Sequence, residues 1–350
     1  MSLKEFHQSL QKAAFEKGIP VYGGFELTTR CNLSCRMCYV KGAGAGKSNH
    51  ELTANQWVEL GRAARDGGAL AVFLTGGEPL IRDDFKEIYE AFCRLGLRLT
   101  LFTNGTLINE ELAKWLSQIP PAAVDITLYG ASETTYRNLC GSGEAFHKAM
   151  GGLELLLKNN ITTRIKTTVV RSNVHDYQAV QTIALSYGLE FLPSNLIHGN
   201  RITGIKNIND ERLSPGEIYS FDLANLEQGV CSPIDLENIK GQYKDSPAMF
   251  CLAGKCSFFI NWLGRLVPCN LFEKPYTVPL DVGFKQAWDL LRHQVTQIPG
   301  LENCKGCELR AFCPVCPGRL YLETGKFDGH SEYVCLLAKE KERMMRNINL

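Results

Sequence analysis

The stretch Phe25-Glu26-Leu27-Thr28-Thr29-Arg30-Cys31-Asn32-Leu33-Ser34-Cys35-Arg36-Met37-Cys38-Tyr39 runs from the end of an apolar segment straight into three closely spaced thiols. Its first residues read as the exit of a short strand, because a turn and an amphipathic segment follow and the same succession recurs along the chain. The apolar runs are Gly24 to Thr28, Leu70 to Thr75, Leu97 to Thr103, Ala123 to Leu128, Thr163 to Val170 and Leu189 to Leu196. Each is rich in β-branched or large apolar residues. Thr53 with Gln56 forms a capping-box signature ahead of Trp57, Leu60 and Ala64, and Asp83, Asn109 and Asp176 read as caps of later helices. Six consecutive βα units build either a doubly wound sheet or an incomplete barrel, since right-handed crossovers allow both. In either, the loops at the C-terminal ends of the strands share one face, and the three thiols sit on the first of them.

Composition narrows the function. With 350 residues and 45% hydrophobic content, the chain has material for a large core and a smaller appendage. Thirty-eight basic residues against 37 acidic ones leave a net charge of +1 with no long block of either sign, so the footprint expected of a nucleic-acid or anionic-membrane binder is missing. No signal-peptide pattern or membrane-length apolar run is present, which predicts a cytoplasmic location. Fourteen cysteines, mostly in tight groups, suit metal binding in a reducing compartment better than a disulfide framework.

Cys31, Cys35 and Cys38 are three ligands without a nearby fourth, whereas structural zinc takes four. Three thiolates suit a 4Fe-4S cluster that keeps one iron open. This CxxxCxxC-aromatic motif, on a strand-one loop of repeated βα units, resembles the radical S-adenosylmethionine (SAM) superfamily, and the resemblance covers Phe25 to about Leu196. It implies a partial (β/α)6 barrel of the TIM type, an α/β fold, with SAM chelating the open iron. It implies further that Gly76, Gly77, Glu78 and Pro79 bind the SAM ammonium, that Thr103 and Asn104 lie on the ribose side, and that Tyr39 lies beside the adenine. Thr127 and Lys166 match positions used for the ribose and the SAM carboxylate.

A second group follows: Cys251, Cys256 and Cys269, then Cys304, Cys307, Cys313 and Cys316, and finally Cys335. Eight cysteines are the ligand count of two four-iron clusters, while a pair of structural zinc sites is the alternative on spacing alone. The segment from about Phe250 to Leu337 resembles the SPASM domain that follows the barrel in one radical SAM subfamily. The resemblance implies one auxiliary cluster on Cys251, Cys256, Cys269 and Cys316 and another on Cys304, Cys307, Cys313 and Cys335. One departure stands out, because two residues separate Cys313 from Cys316 where three are common in the family. Phe258 to Asn261 and Arg265 to Val267 read as a hairpin.

The expected organisation is a helical extension over residues 1–22, a core over 23–197, a bridge over 198–247 and a cysteine-rich region over 248–350. The family chemistry implied is reductive cleavage of SAM to a 5'-deoxyadenosyl radical, then hydrogen abstraction from a substrate carbon. Cys140, in Leu139-Cys140-Gly141, is the candidate hydrogen donor, and the ordinary reading is a small buried residue. Cys231 carries the same two readings, and His198, at the end of the sixth strand, reads as an acid or base or as a hydrogen-bonded structural histidine. The resemblance favours a ribosomally made peptide as substrate, undergoing crosslinking, oxidation or epimerisation, over dehydrogenation or epimerisation of a sugar-like metabolite. A non-catalytic iron-sulfur or zinc protein is the third reading. The implied partners are a low-potential electron donor such as flavodoxin or ferredoxin and, because only a short segment precedes strand one, a separate leader-peptide recognition protein.

Overall fold

The computed structural model describes residues 3–42, 51–201, 208–227 and 251–348, and Cys231 lies outside them. Six strands appear where the apolar runs predict them: β1 (Tyr22–Glu26), β2 (Ala71–Thr75), β3 (Arg98–Thr103), β4 (Ala123–Thr127), β5 (Thr163–Thr168) and β6 (Glu190–Ser194). They lie side by side in sequence order, each parallel to the next. Such monotonic order excludes the doubly wound alternative, in which the order reverses at a switch point. With right-handed crossovers every helix falls on one face and the twisted sheet curves into part of a barrel.

Side-chain alternation divides that sheet. Val72, Leu74, Leu99, Leu101, Val124, Ile126 and Ile165 point to the helices and are buried. Their neighbours Phe73, Phe102, Thr127, Arg164 and Lys166 point to the concave side and stay half-buried. After a leading helix α1 (Leu3–Lys17), the helical layer, which includes α5 (Glu133–Cys140) and α6 (Glu144–Lys158), is amphipathic as expected. Helix α2 (Ala54–Asp66), capped by the reciprocal Thr53 and Gln56 bonds, buries Trp57, Leu60 and Ala64, and α3 (Phe85–Arg94) buries Phe85, Ile88, Tyr89 and Phe92. Asn109 caps α4 (Glu110–Gln118) through a bond from Leu112 N.

The other two expected caps, Asp83 and Asp176, do not form. The residue before α3 is Asp84, not Asp83, and its carboxylate grips Arg82 at 2.7 and 2.8 Å instead of capping the helix. Asp176 does precede α7 (Tyr177–Ser186), but its carboxylate accepts from Ala131 N at 2.9 Å on the neighbouring loop. For Asp84 the competing donor is a local side chain two residues upstream, and for Asp176 it is a backbone amide of a distant loop.

The predicted hairpin forms as β7 (Ser257–Ile260) and β8 (Leu266–Val267), turned by Asn261 to Arg265. It is not confined to the cysteine-rich segment. β7 pairs in parallel with β1, from Tyr22 opposite Ser257 to Phe25 opposite Ile260, so the sheet runs β6-β5-β4-β3-β2-β1-β7-β8. Gly23 and Gly24 permit this: a Cβ on Gly23 would meet the Phe258 ring at 2.3 Å. Phe258 packs edge-on against Phe25, Phe284 and Trp288, welding the C-terminal part to the core. Replacing Phe258 with Ala should therefore cost about 3–5 kcal/mol in urea denaturation followed by circular dichroism.

Candidate active site

The loop after β1 is held on three sides. Leu27 N still bonds Thr75 O at 2.9 Å, after which the chain leaves the sheet, and Gly77 N and Glu78 N donate to Thr28 O and Arg30 O, both at 2.8 Å. Here the two glycines find their reason. A Cβ on Gly76 would lie 2.5 Å from Thr28 O, and one on Gly77 would lie 2.4 Å from Arg30 O. The close approach is first of all between this chain's own two loops.

On a second side Ser34 N and Arg36 N donate to Cys140 O and Leu139 O, each at 2.9 Å, pinning the loop on the end of α5 (Glu133–Cys140). On the third, Asn200 Nδ2 bonds Cys38 O and Lys41 O, both at 3.0 Å, and Arg201 N bonds Tyr39 O. Arg82 fastens the base, donating to Leu27 O and Leu52 O at 2.9 Å.

The three thiols differ in setting. Cys31 is exposed, Cys35 is buried and Cys38 lies between. Burial pushes the Cys31 thiol up to about 12 and raises Cys38 as well. Cys35 is lowered, because Cys140 and Tyr129 hydrogen-bond its sulfur against the effect of burial. A bound cation reverses this preference for neutral thiols, since metal ligation takes the thiolate.

Cys140 is 1% exposed and its sulfur is committed to Cys35. This is the setting of the ordinary reading, a small buried residue, because α5 turns its last residue inward beneath the cysteine loop. His198 is likewise unsuited to proton transfer near neutral pH: burial, with Arg319 and Arg212 nearby, pushes it down to about 3.

Glu78 is fully buried and organises the second and third loops. Its Oε1 accepts from Thr103 Oγ1 at 2.8 Å and Leu80 N at 3.1 Å, and its Oε2 accepts from Asn104 N at 2.7 Å. Those bonds leave about one lone-pair site of the carboxylate open to a ligand donor. Pro79 is buried and opens a short turn. Asn104 extends the network, donating to Asn32 Oδ1 at 3.0 Å and lying 3.8 Å from Cys31 Sγ. Thr103, Asn104 and the cysteine loop are thus brought together around Glu78.

Thr127 and Lys166 sit opposite each other across β4 and β5. Lys166 Nζ lies 3.6 Å from Asp125 and 3.9 Å from the centre of the Phe102 ring, and burial lowers its pKa. Asp125 is buried and also takes two bonds from Arg164. The half-buried Tyr39 lies 5.3 Å from the Arg201 guanidinium, and its hydroxyl is tied to Asn270. Arg201, Asn200, Asp125 and Tyr129 escaped the sequence reading. None lies in a spaced motif: Asp125 and Tyr129 come from β4 and the loop after it, and Asn200 and Arg201 from the segment after β6.

The second cysteine group separates into two neighbourhoods. Cys269 lies within electrostatic reach of Cys251 and Cys316, and Cys256 within reach of Cys251. Cys304 neighbours Cys307 and Cys335, and Cys313 neighbours Cys304 and Cys335. The two-residue spacing thus still sends Cys313 and Cys316 to different partners. A cavity of about 600 Å³ is lined by Cys251, Cys269, Cys313 and Cys316 together with Arg310 and Arg319. Among the described residues no three Cys, His, Asp or Glu side chains converge tightly enough to chelate one ion. Sulfurs set around a roomy cavity with cations in its wall fit an anionic polynuclear cluster better than a tetrahedral ion.

Residues 25–183 match the family model described as the Radical SAM superfamily. The AdoMet-dependent heme synthase of Methanosarcina barkeri is 27% identical over 345 residues, covering 87% of this chain and 93% of that protein. The sporulation killing factor maturation protein SkfB of Bacillus subtilis is 26% identical, covering 73% of this chain and 62% of that protein. Among solved structures, SuiB of Streptococcus suis bound to its precursor peptide SuiA superposes with a TM-score of 0.70 at 16% identity, covering 94% of this chain and 80% of that one. Among the described residues no helix is long and apolar enough to cross a membrane.

Burial holds the Glu78 carboxyl up at about 7, from an ordinary 4.5, despite the bonds it accepts. A raised carboxyl favours folding fully below its unfolded value and loses that contribution as pH rises through the folded value. Without SAM, the stability of wild type relative to Glu78→Gln should therefore fall between pH 4.5 and 7, by on the order of 3 kcal/mol, in urea titrations across that window.

Proposed function

Because the chain belongs to the radical SAM superfamily, we propose that it is a SPASM-type enzyme that modifies a ribosomally made peptide. The observation that carries this reading is the sheet's half-buried concave face, with the Cys31, Cys35 and Cys38 loop following β1 and a cavity lined by Phe73, Phe102, Arg164, Cys269 and Asn270 along it. Such a trough admits an extended substrate between two redox groups. The fold likeness to SuiB with its precursor peptide and the similarity to SkfB support it.

In this reading Cys31, Cys35 and Cys38 hold a 4Fe-4S cluster, and the two C-terminal neighbourhoods hold auxiliary clusters. When bound, the cluster and SAM would supply a 5'-deoxyadenosyl radical able to take hydrogen from an unactivated carbon. The chain's own residues orient the partners. Glu78 holds Thr103 and Asn104 in place and keeps one acceptor site for the SAM ammonium. Asn104 and Asn32 brace the cysteine loop, and Tyr39 backs it beneath Arg201. Thr127 and Lys166 face the trough next to the SAM site, while Phe73 and Phe102, stacked 4.7 Å apart, give it an apolar wall that limits water. In this reading residues 248–350 are the auxiliary-cluster region, which also lends β7 to the core sheet.

A second reading has its own support. The likeness to a heme synthase over nearly that protein's full length favours a tetrapyrrole substrate. The two differ in ligand: an iron porphyrin with propionate side chains would shift its Soret band on adding this protein, and a peptide substrate would leave that band unmoved.

Anaerobically reconstituted protein, reduced with dithionite in the presence of SAM, should release 5'-deoxyadenosine in chromatographic assays. Replacement of Cys31, Cys35 or Cys38 by Ala should abolish that release. Co-expression with small peptides encoded beside the gene should yield one whose mass changes, and the change should vanish in the Cys35→Ala strain. Intact clusters without any 5'-deoxyadenosine would overturn the enzyme reading.

A further inference from the structure

Arg319 occupies an unusual position. It lies in the first turn of the helix Pro317–Thr324, one residue past Gly318 and three past Cys316. Its Nη1 donates to Pro314 O at 2.9 Å, closing the guanidinium over the Pro314-Val315 link between Cys313 and Cys316. Its Nε is sealed from solvent and has no hydrogen-bond partner. Arg319 lines the 600 Å³ cavity together with Cys251, Cys269, Cys313 and Cys316.

Among the described residues no carboxylate lies within ion-pair distance of Arg319. Glu323, one turn on, is taken by Arg212 at 2.6 Å and by Ser331. A guanidinium in such a place is costly unless an anion offsets it. The missing counter-charge is what ligated thiolates would bring.

Geometry adds a second point. Three peptide steps separate Cys313 from Cys316, so their Cα atoms lie within about 11 Å of each other. They belong to different sulfur neighbourhoods, so one guanidinium beside both feels two clusters at once. Resting on the reading that these cysteines hold two auxiliary clusters, we propose that Arg319 is a positioning residue shared by them, whose positive charge raises the reduction potentials of both. A nearby cation stabilises whichever cluster state carries more negative charge, which is the reduced one.

The test is an EPR-monitored redox titration of the fully reconstituted protein. Iron content comes first. If wild type holds fewer than three four-iron clusters, the auxiliary-cluster reading fails before Arg319 is tested. With three present, Arg319→Gln should move both auxiliary potentials to more negative values, by about tenfold in the reduced-to-oxidised ratio at fixed potential, or about 59 mV for one electron, while the SAM-binding cluster stays where it was. Arg319→Lys, which keeps the charge, should lie closer to wild type. Two unmoved auxiliary potentials in Arg319→Gln would overturn the proposal, and so would an equal shift of all three clusters. Should Arg319→Gln lose iron, Arg319→Lys decides: full loading at wild-type potentials supports the proposal, and a negative shift of both auxiliary clusters with the charge retained refutes it.

Discussion

The close packing of Gly76 and Gly77 on the backbone of Thr28 to Arg30 is the constraint from which the site is built. Two loops at adjacent strand ends meet at hydrogen-bond distance only because neither glycine carries a Cβ. Once they meet, Glu78 is delivered beneath the third loop, and its buried carboxylate gathers Thr103 and Asn104. Asn104 in turn reaches Asn32, so the cysteine loop is braced from the far side of the sheet. A short-range steric fact thereby orders side chains contributed by three strands.

A tightly held loop matters for chemistry that leaves one iron open. The cysteine loop carries no regular secondary structure of its own, and its geometry rests on bonds from α5, from Asn200 and Arg201, and from Arg82. The partners come from before and after the barrel's last strand, so loop and barrel are stabilised together. Cys140 belongs to this support. Its sulfur on Cys35 and its carbonyl under Ser34 make the end of α5 a platform for the buried ligand.

The C-terminal region is coupled to the barrel by covalent continuity, by packing and by charge. β7 extends the sheet at β1, Phe258 fills the space over Gly23, and Arg201 is buried against Glu26 of β1 while reaching Glu273 at 3.4 Å. Cys269 and Cys38 both lie within the field of that guanidinium. Two sulfur sites far apart in sequence are therefore parts of one electrostatic unit, which suits chemistry that moves single electrons.

By itself the sequence determined what is local. The six βα repeats, the capping box at Thr53, the Asn109 cap and the turn of the β7–β8 hairpin follow from periodicity and nearest-neighbour bonding, and they appear within a few residues of where the pattern puts them. The grouping of the cysteines, on which the proposal of cluster ligation rests, was legible for the same reason, since ligand spacing is a local property. What folding alone decided depends on pairings between residues distant in the chain. Alternation says which face of β7 is apolar but not which strand edge receives it, and spacing does not say that Cys313 and Cys316 part company. Asp176 left its helix for a tertiary donor, and Cys140 turned inward, because a buried partner outweighs a solvated one and only the packed chain brings that partner near.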